Sequence, residues 1–164
     1  MARKLPSLPN AAWFFHACEL NYLSFNDQAP GNGFLTAVYN SPCLPPLLIL
    51  PAALGLPLLS LRPISRMVRR IASRLIAYCA ACSGLNPTRW RRYEIMIDVD
   101  GTRFNIDRRI VFQTTLAPNG ALGFVLWIDN QFAAYHPNGS IKAGRRAHHQ
   151  PAWLDIRELS IEMG

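Results

Sequence analysis

Between residues 90 and 163, apolar side chains recur with a period of two between short turns, and this alternation constrains the fold more than any other feature of the chain. Tyr93, Ile95, Ile97 and Val99 are apolar at odd positions, the mark of a half-buried strand with its isoleucines inward. Asp100-Gly101 is a hairpin-turn pair, after which residues 103–107 return with Phe104 and Ile106 inward. Residues 110–116 follow, then Pro118-Asn119-Gly120 as a turn. Residues 122–128 (LGFVLWI) are apolar on both faces, which predicts a central, covered strand. A turn at 136–139 (HPNG) and a last strand over 153–163 complete the run. The apolar parity of that strand slips between Ile156 and Leu159, predicting a bulge or break. Turns at such short intervals predict a sandwich or jelly roll rather than an α/β fold. Upstream, residues 11–17 (AAWFFHA) and 34–39 read as two more strands, separated by a loop at 26–33 (NDQAPGNG).

Residues 43–85 break this pattern. Residues 43–61 are nineteen positions without a charge, close to the roughly 20 that cross a bilayer. Pro45, Pro46, Pro51 and Pro57 interrupt them, and an interior proline costs a helix about 3 kcal/mol. An interfacial hairpin or an apolar flap fits better than a clean span. From 64 to 82 the period becomes helical. Ile64, Met67, Val68, Ile71, Leu75, Tyr78 and Cys82 form one apolar stripe, while Arg62, Arg66, Arg69, Arg70 and Arg74 fall on the opposite face. Gly84 and Asn86-Pro87 end the pattern. The expected organisation is an antiparallel β-sandwich over 1–42 and 86–164, with a proline-rich apolar run and a basic amphipathic helix inserted at 43–85.

The charge is as uneven as the pattern. Of the formal net charge of +7, residues 62–92 supply eight arginines and no acid, whereas the flanking parts are neutral or nearly so. A local basic block implies an anionic partner, a phospholipid surface or nucleic acid. Nucleic acid is the weaker expectation, because the apolar stripe beside the arginines needs a greasy partner. The two remaining alternatives are attachment to a membrane surface and packing of the stripe on the chain's own sheets.

Metal and redox chemistry find little footing. The four cysteines, Cys18, Cys43, Cys79 and Cys82, have no disulfide-framework spacing. Cys79-Ala-Ala-Cys82 lies inside the helical pattern rather than at a helix start, where redox motifs operate. No second pair completes a zinc site, and His148-His149 sits in a polar, loop-like stretch. No metal or other cofactor is expected. The N-terminus has no apolar core of a secretory leader, so the expected location is cytoplasmic, with peripheral membrane attachment as an option.

Trp90-Arg-Arg-Tyr93, the strand after it, and Thr102-Arg-Phe-Asn-Ile-Asp107 resemble a segment of the concanavalin A-like lectin/glucanase superfamily, the family 16 glycoside hydrolases and their relatives, in which it reads W-H-x-Y, a strand, then F-x-V-D-G. Trp90, Tyr93, Phe104 and Asp107 match, and Arg108 replaces the turn glycine. Residues 118–132 (PNGALGFVLWIDNQF) are similar to an uncharacterised bacterial branch of that superfamily, as are the AWFFHA strand, the proline-rich insert and the closing W-L-x-[IL] strand. The resemblance implies a jelly roll of about twelve to fourteen strands. About eight are legible here, so it implies either a truncated member lacking its N-terminal strands or a sandwich that pairs with another chain, with sheet edges otherwise left open.

The hydrolases of this superfamily carry Glu-x-Asp-x-x-Glu on one strand, and that spacing is absent here. Glu94, Asp98 and Asp100 share a strand face by parity, but opposite Ile95 and Ile97, so they read as solvent-facing carboxylates rather than catalysts or a calcium site. Asp155, Glu158 and Glu162 lack the spacing too. The expected function is therefore non-catalytic, the alternatives being a fragment of a glycoside hydrolase-like enzyme whose catalytic strand is missing from this chain, or a purely structural or interaction protein. Trp127, Asp129, Asn130 and Gln131 at a strand end, with Trp13 and His16 from another strand, are the candidate carbohydrate-binding residues, offering a ring to stack on and planar polar groups to bond. Arg62, Arg66, Arg69, Arg70 and Arg74 are the candidate membrane-surface residues.

Overall fold

The computed structural model of the chain describes residues 8–22, 24, 29–42, 60–147 and 151–162. Among these, the protein is mainly β, with three small antiparallel sheets and one helix. The elements in order are β1 (Ala11–Ala17), β2 (Gly33–Asn40), α1 (Arg62–Leu75), β3 (Ala77–Cys82), β4 (Tyr93–Asp98), β5 (Gly101–Ile106), β6 (Arg109–Thr114), β7 (Gln131–Tyr135) and β8 (Ile141–Arg145). The sheets are β1-β2-β3, β4-β5-β6 and β7-β8. The expected insert at 43–61 lies outside the described residues up to position 59, as do His148 and His149, residues 26–28 of the expected loop, and Met163.

β2 is the centre of the molecule. It pairs with β1 through Thr36 and Phe14 and with β3 through Val38 and Cys79, and it is buried on both faces from Phe34 to Tyr39. Its odd positions Ala37 and Tyr39 form a cluster with Ile76, joined by Trp13, Phe15, Tyr78 and Ala72 of α1. The even face meets the second sheet through rings. Phe14 lies 5.1 Å from Phe104 and 5.2 Å from Tyr93, edge to face in both cases, and Phe34 lies 5.8 Å from Tyr93. Such pairs add about 0.5–1.5 kcal/mol each beyond the area they bury.

Three sequence expectations need correction. The helical pattern does not run to Cys82: α1 stops at Leu75, Ile76 is extended, and residues 77–82 pair with β2. The stretch AYCAAC has ample helix propensity, but the open edge of β2 offers it a full ladder, and Tyr78 stacks on Tyr39 at 4.6 Å. Propensity is a weak prior against such tertiary contacts. Residues 77–82 therefore belong to the first sheet rather than to an insert. Because i and i+3 of a strand point to opposite faces, Cys79 and Cys82 also point apart.

The second correction concerns residues 122–128 and 153–162, both expected as strands. Neither joins a ladder among the described residues, and both are exposed throughout. The third concerns β4. Its alternation is as expected, with Ile95 opposite Phe104 and Ile97 opposite Thr102, yet Ile95 and Ile97 are exposed. Alternation reports which face a residue takes and not whether that face is covered.

The β5–β6 turn is built on Asp107 and Arg108 with φ of 51° and 66°. Two positive φ values make a type I′ hairpin, for which glycine is the usual second residue. Here Arg108 takes that place, and Asp107 is held by its N–H to Arg92 O (2.9 Å) and its carboxylate to Arg91 (2.6 Å).

Candidate functional site

α1 begins at Arg62 with Pro63 in its first turn, where the missing N–H leaves no helical hydrogen bond unmade. Its orientation is set by polar contacts to β7, to the turn that follows it and to Ser24. Arg69, only 5% exposed, enters between the rings of Tyr22 (5.7 Å) and Tyr135 (5.6 Å). Its guanidinium donates to Ser24 O at 2.6 Å and Tyr135 O at 3.0 Å. Arg66 donates through Nε to Asn138 O at 2.8 Å, and the Tyr135 hydroxyl donates to the carbonyl of Ser65. Gly139 lies so close to Arg62 O and Arg66 that a side chain there would clash. Tyr22 is tied to β7 in turn, donating to Ala133 O and accepting from Tyr135 N, each at 3.0 Å.

These contacts draw Ser65, Arg69 and Ala72 inward. Relative to the orientation its apolar stripe dictates, the helix is rotated by about a quarter turn at 100° per residue. Hydrogen bonds from a charged donor contribute about 1.5–3 kcal/mol each. That is comparable with burying one more large apolar side chain, so the arginine contacts compete successfully for the inward face. The consequence is on the outside. Met67, Ile71 and Leu75, one turn apart, are 55%, 48% and 43% exposed. Arg62, Arg66, Arg70 and Arg74 are exposed on the adjoining strip. Arg69 is the exception among the five candidates: it lies in the interior rather than at the surface. The outer surface of α1 thus sets an apolar line beside a basic one. No described helix is long and apolar enough to cross a membrane.

The strand-end candidates are only partly brought together. Trp127, half exposed, meets the Trp13 ring edge to face at 5.5 Å. Trp13 itself packs on Phe15 and Tyr39, and its Nε1 is buried without a hydrogen-bond partner among the described residues. His16 lies on the other face of β1 by parity. Asp129 Oδ1 accepts from Gln131 N at 3.2 Å, a local turn bond, and Asn130 O accepts from Arg146 N at 2.7 Å.

The carboxylates of the second sheet are engaged locally. Glu94 pairs with Arg92 at 2.7 Å and accepts from Asn105 at 3.1 Å. Asp98 accepts from Asp100 N at 2.9 Å, at the rim of a hollow of about 140 Å³ shared with Arg103 and Gln113. The backbone N–H of Arg92 and the Arg91 guanidinium hold the Asp107 carboxyl below its ordinary range. Burial raises the hydroxyls of Tyr39 and Tyr78 above theirs, as expected for phenols in an apolar cluster. Among the described residues no three metal-ligating side chains converge.

Sequence reasoning missed the grip on α1, made by Tyr22, Ser24, Ser65, Tyr135 and Asn138. Its acceptors are mostly backbone carbonyls, which every residue carries, so no motif marks them. The one legible trace is the line Ser65–Arg69–Ala72, small or polar at helical spacing.

Comparison with known proteins yields no match to the chain among protein-family models, curated proteins or solved structures.

Proposed function

We propose that this is a non-catalytic, β-rich protein that attaches reversibly to an anionic membrane surface through the outer face of α1. The observation that carries the reading is the exposed line Met67, Ile71 and Leu75 beside Arg70 and Arg74. A packed helix would have turned that line inward; here it is outward, where lipid can cover it. Two basic residues near an anionic surface contribute about 1 kcal/mol each. Three half-exposed apolar side chains add about 1 kcal/mol each on burial. Together these give on the order of 5 kcal/mol before the losses of association, the scale of reversible peripheral binding rather than permanent insertion. Nucleic acid would satisfy the arginines and leave the apolar line in water.

The sequence resemblance supports reading the β elements as belonging to a concanavalin-like jelly roll. Residues 122–128 and 153–162, strand-like in pattern, join no ladder among the described residues. A carbohydrate-binding role has less behind it, since of its six residues the ring contact of Trp13 with Trp127 joins two segments, and Asp129 is engaged in a local turn bond with Gln131.

Vesicle co-sedimentation tests the membrane reading. The intact chain should pellet with phosphatidylserine-containing vesicles and release as salt rises, with little binding to pure phosphatidylcholine. Ile71→Asp, and separately Arg70→Glu with Arg74→Glu, should each weaken binding about tenfold or more, given about 1 kcal/mol per surface charge. Equal pelleting with neutral and anionic vesicles, or wild-type binding by both variants, would sink the proposal.

A further inference from the structure

Arg70 and Arg74 stand four residues apart on α1, which sets them about 6 Å apart along its axis and about 40° apart around it. Both are exposed. Of the outer arginines they are the two nearest the apolar line Met67, Ile71 and Leu75; Arg66 and Arg62 lie about a further 40° and 80° round, away from it. Arg66 also commits its Nε to Asn138 O at 2.8 Å. Among the described residues, ion pairs form at Arg91, Arg92 and Arg146 and none at Arg70 or Arg74. The helix itself, RPISRMVRRIASRL, holds no acid. Like charges at this spacing repel each other. An anion seated between the two guanidinium groups relieves that repulsion and satisfies both.

We propose that Arg70 and Arg74 together bind one phosphomonoester headgroup, so that α1 selects phosphatidate, a lipid ending in its phosphate, over phosphodiester lipids of equal surface charge. This selectivity rests on the membrane reading and names the lipid class. Charge complementarity favours this occupant. A phosphomonoester carries about −1.5 to −2 charges near pH 7 and three strong acceptor oxygens. A phosphodiester carries a single charge and has fewer terminal oxygens to offer. Two guanidinium forks match the monoester in both respects, each engaging a pair of oxygens with one oxygen shared. On a diester the second fork is left without its share of charge. Nucleic-acid phosphates are diesters as well, so the same arithmetic disfavours them.

The apolar line fits the same lipid. Met67, Ile71 and Leu75, about half exposed, must pass between headgroups to reach the acyl boundary. A headgroup with nothing beyond its phosphate leaves that boundary least covered. It also holds the phosphate at the level of the arginine row once the apolar line is buried. The fork matters as much as the charge, because lysine presents a point charge on a flexible stem and engages no pair of oxygens.

Co-sedimentation of the intact chain with two sets of phosphatidylcholine vesicles tests this, one set carrying phosphatidate and the other phosphatidylglycerol, matched in zeta potential. Wild type should bind the phosphatidate set about tenfold or more tightly. Arg70→Lys with Arg74→Lys keeps the charge and removes the forks. That double variant should bind both sets alike, at the level wild type shows on phosphatidylglycerol. Arg62→Lys, on the same row but farthest from the apolar line, should keep the preference, and circular dichroism of each variant should match wild type. Equal binding of wild type to the two matched sets overturns the proposal, as does a preference retained by the double variant. A preference lost equally in Arg62→Lys overturns it too, since the whole row rather than the pair would then select the lipid. All three results leave the membrane reading standing. A wild type that pellets with neither set removes that reading and the selectivity together.

Discussion

β2 and residues 122–128 carry the same binary pattern, apolar on both faces, and end in opposite situations. β2 reads GFLTAVYN and is the less greasy of the two, yet Leu35, Ala37 and Val38 are wholly buried. Residues 122–128 are richer in large side chains, yet every one is exposed. The difference lies in neighbours. β2 has β1 and β3 on its two edges, α1 and Ile76 over one face, and Phe104 and Tyr93 toward the other. Among the described residues, 122–128 have one ring contact, Trp127 to Trp13. A double-faced apolar pattern records a demand for two covers and does not say which molecule supplies them.

The largest expected effect probes the buried member of the pair. Leu35→Ala should destabilise by about 2–5 kcal/mol in urea unfolding, as for a large side chain removed from a closed core. Leu126→Ala should change stability by less than about 0.5 kcal/mol. Equal losses would erase the contrast between the two segments.

Glycine sharpens the same contrast. Gly101 has φ of +137°, and a side chain there would run into the Thr114 carbonyl. Gly101→Ala should therefore cost about 2 kcal/mol or more in thermal unfolding, the sum of strained backbone and clash. Gly123→Ala enters open space and should be nearly neutral.

A smaller effect separates the inward arginine from its outward neighbour. Arg69→Ala leaves the Ser24 and Tyr135 carbonyls without that donor and should cost about 1–3 kcal/mol, with Arg70→Ala within about 0.5 kcal/mol. The smallest effect is Asp107. Its carboxyl is held below the ordinary range, so the folded chain favours the charged form, and the associated stability is present above that range and fades as pH falls through it. Asp107→Asn should lower stability slightly at neutral pH and flatten its fall in acid, so that variant and wild type converge below the carboxylate range.

Much of the local structure was legible in the chain. The strand over residues 11–17, the hairpins at Asp100-Gly101 and 136–139, and the start of a helix near Ile64 follow from alternation, turn chemistry and helical period, all short-range. Less of the candidate site was. The arginines and the apolar stripe were visible, and their mutual placement was not, because Arg69 reaches two backbone carbonyls contributed by distant segments. The same holds for Ala77–Cys82, whose helical pattern yields to a ladder with β2.

The sequence by itself therefore determined which residues share a face, where the chain turns, and that one stretch is basic and greasy at once. Tertiary structure alone decided which faces are covered, that α1 sits with Met67, Ile71 and Leu75 outward, and that the central strand is β2 rather than 122–128. The reason is physical. Periodicity and turn preference arise within a few residues, whereas coverage depends on which distant segments arrive, and the pattern of a strand is the same whether they do or not.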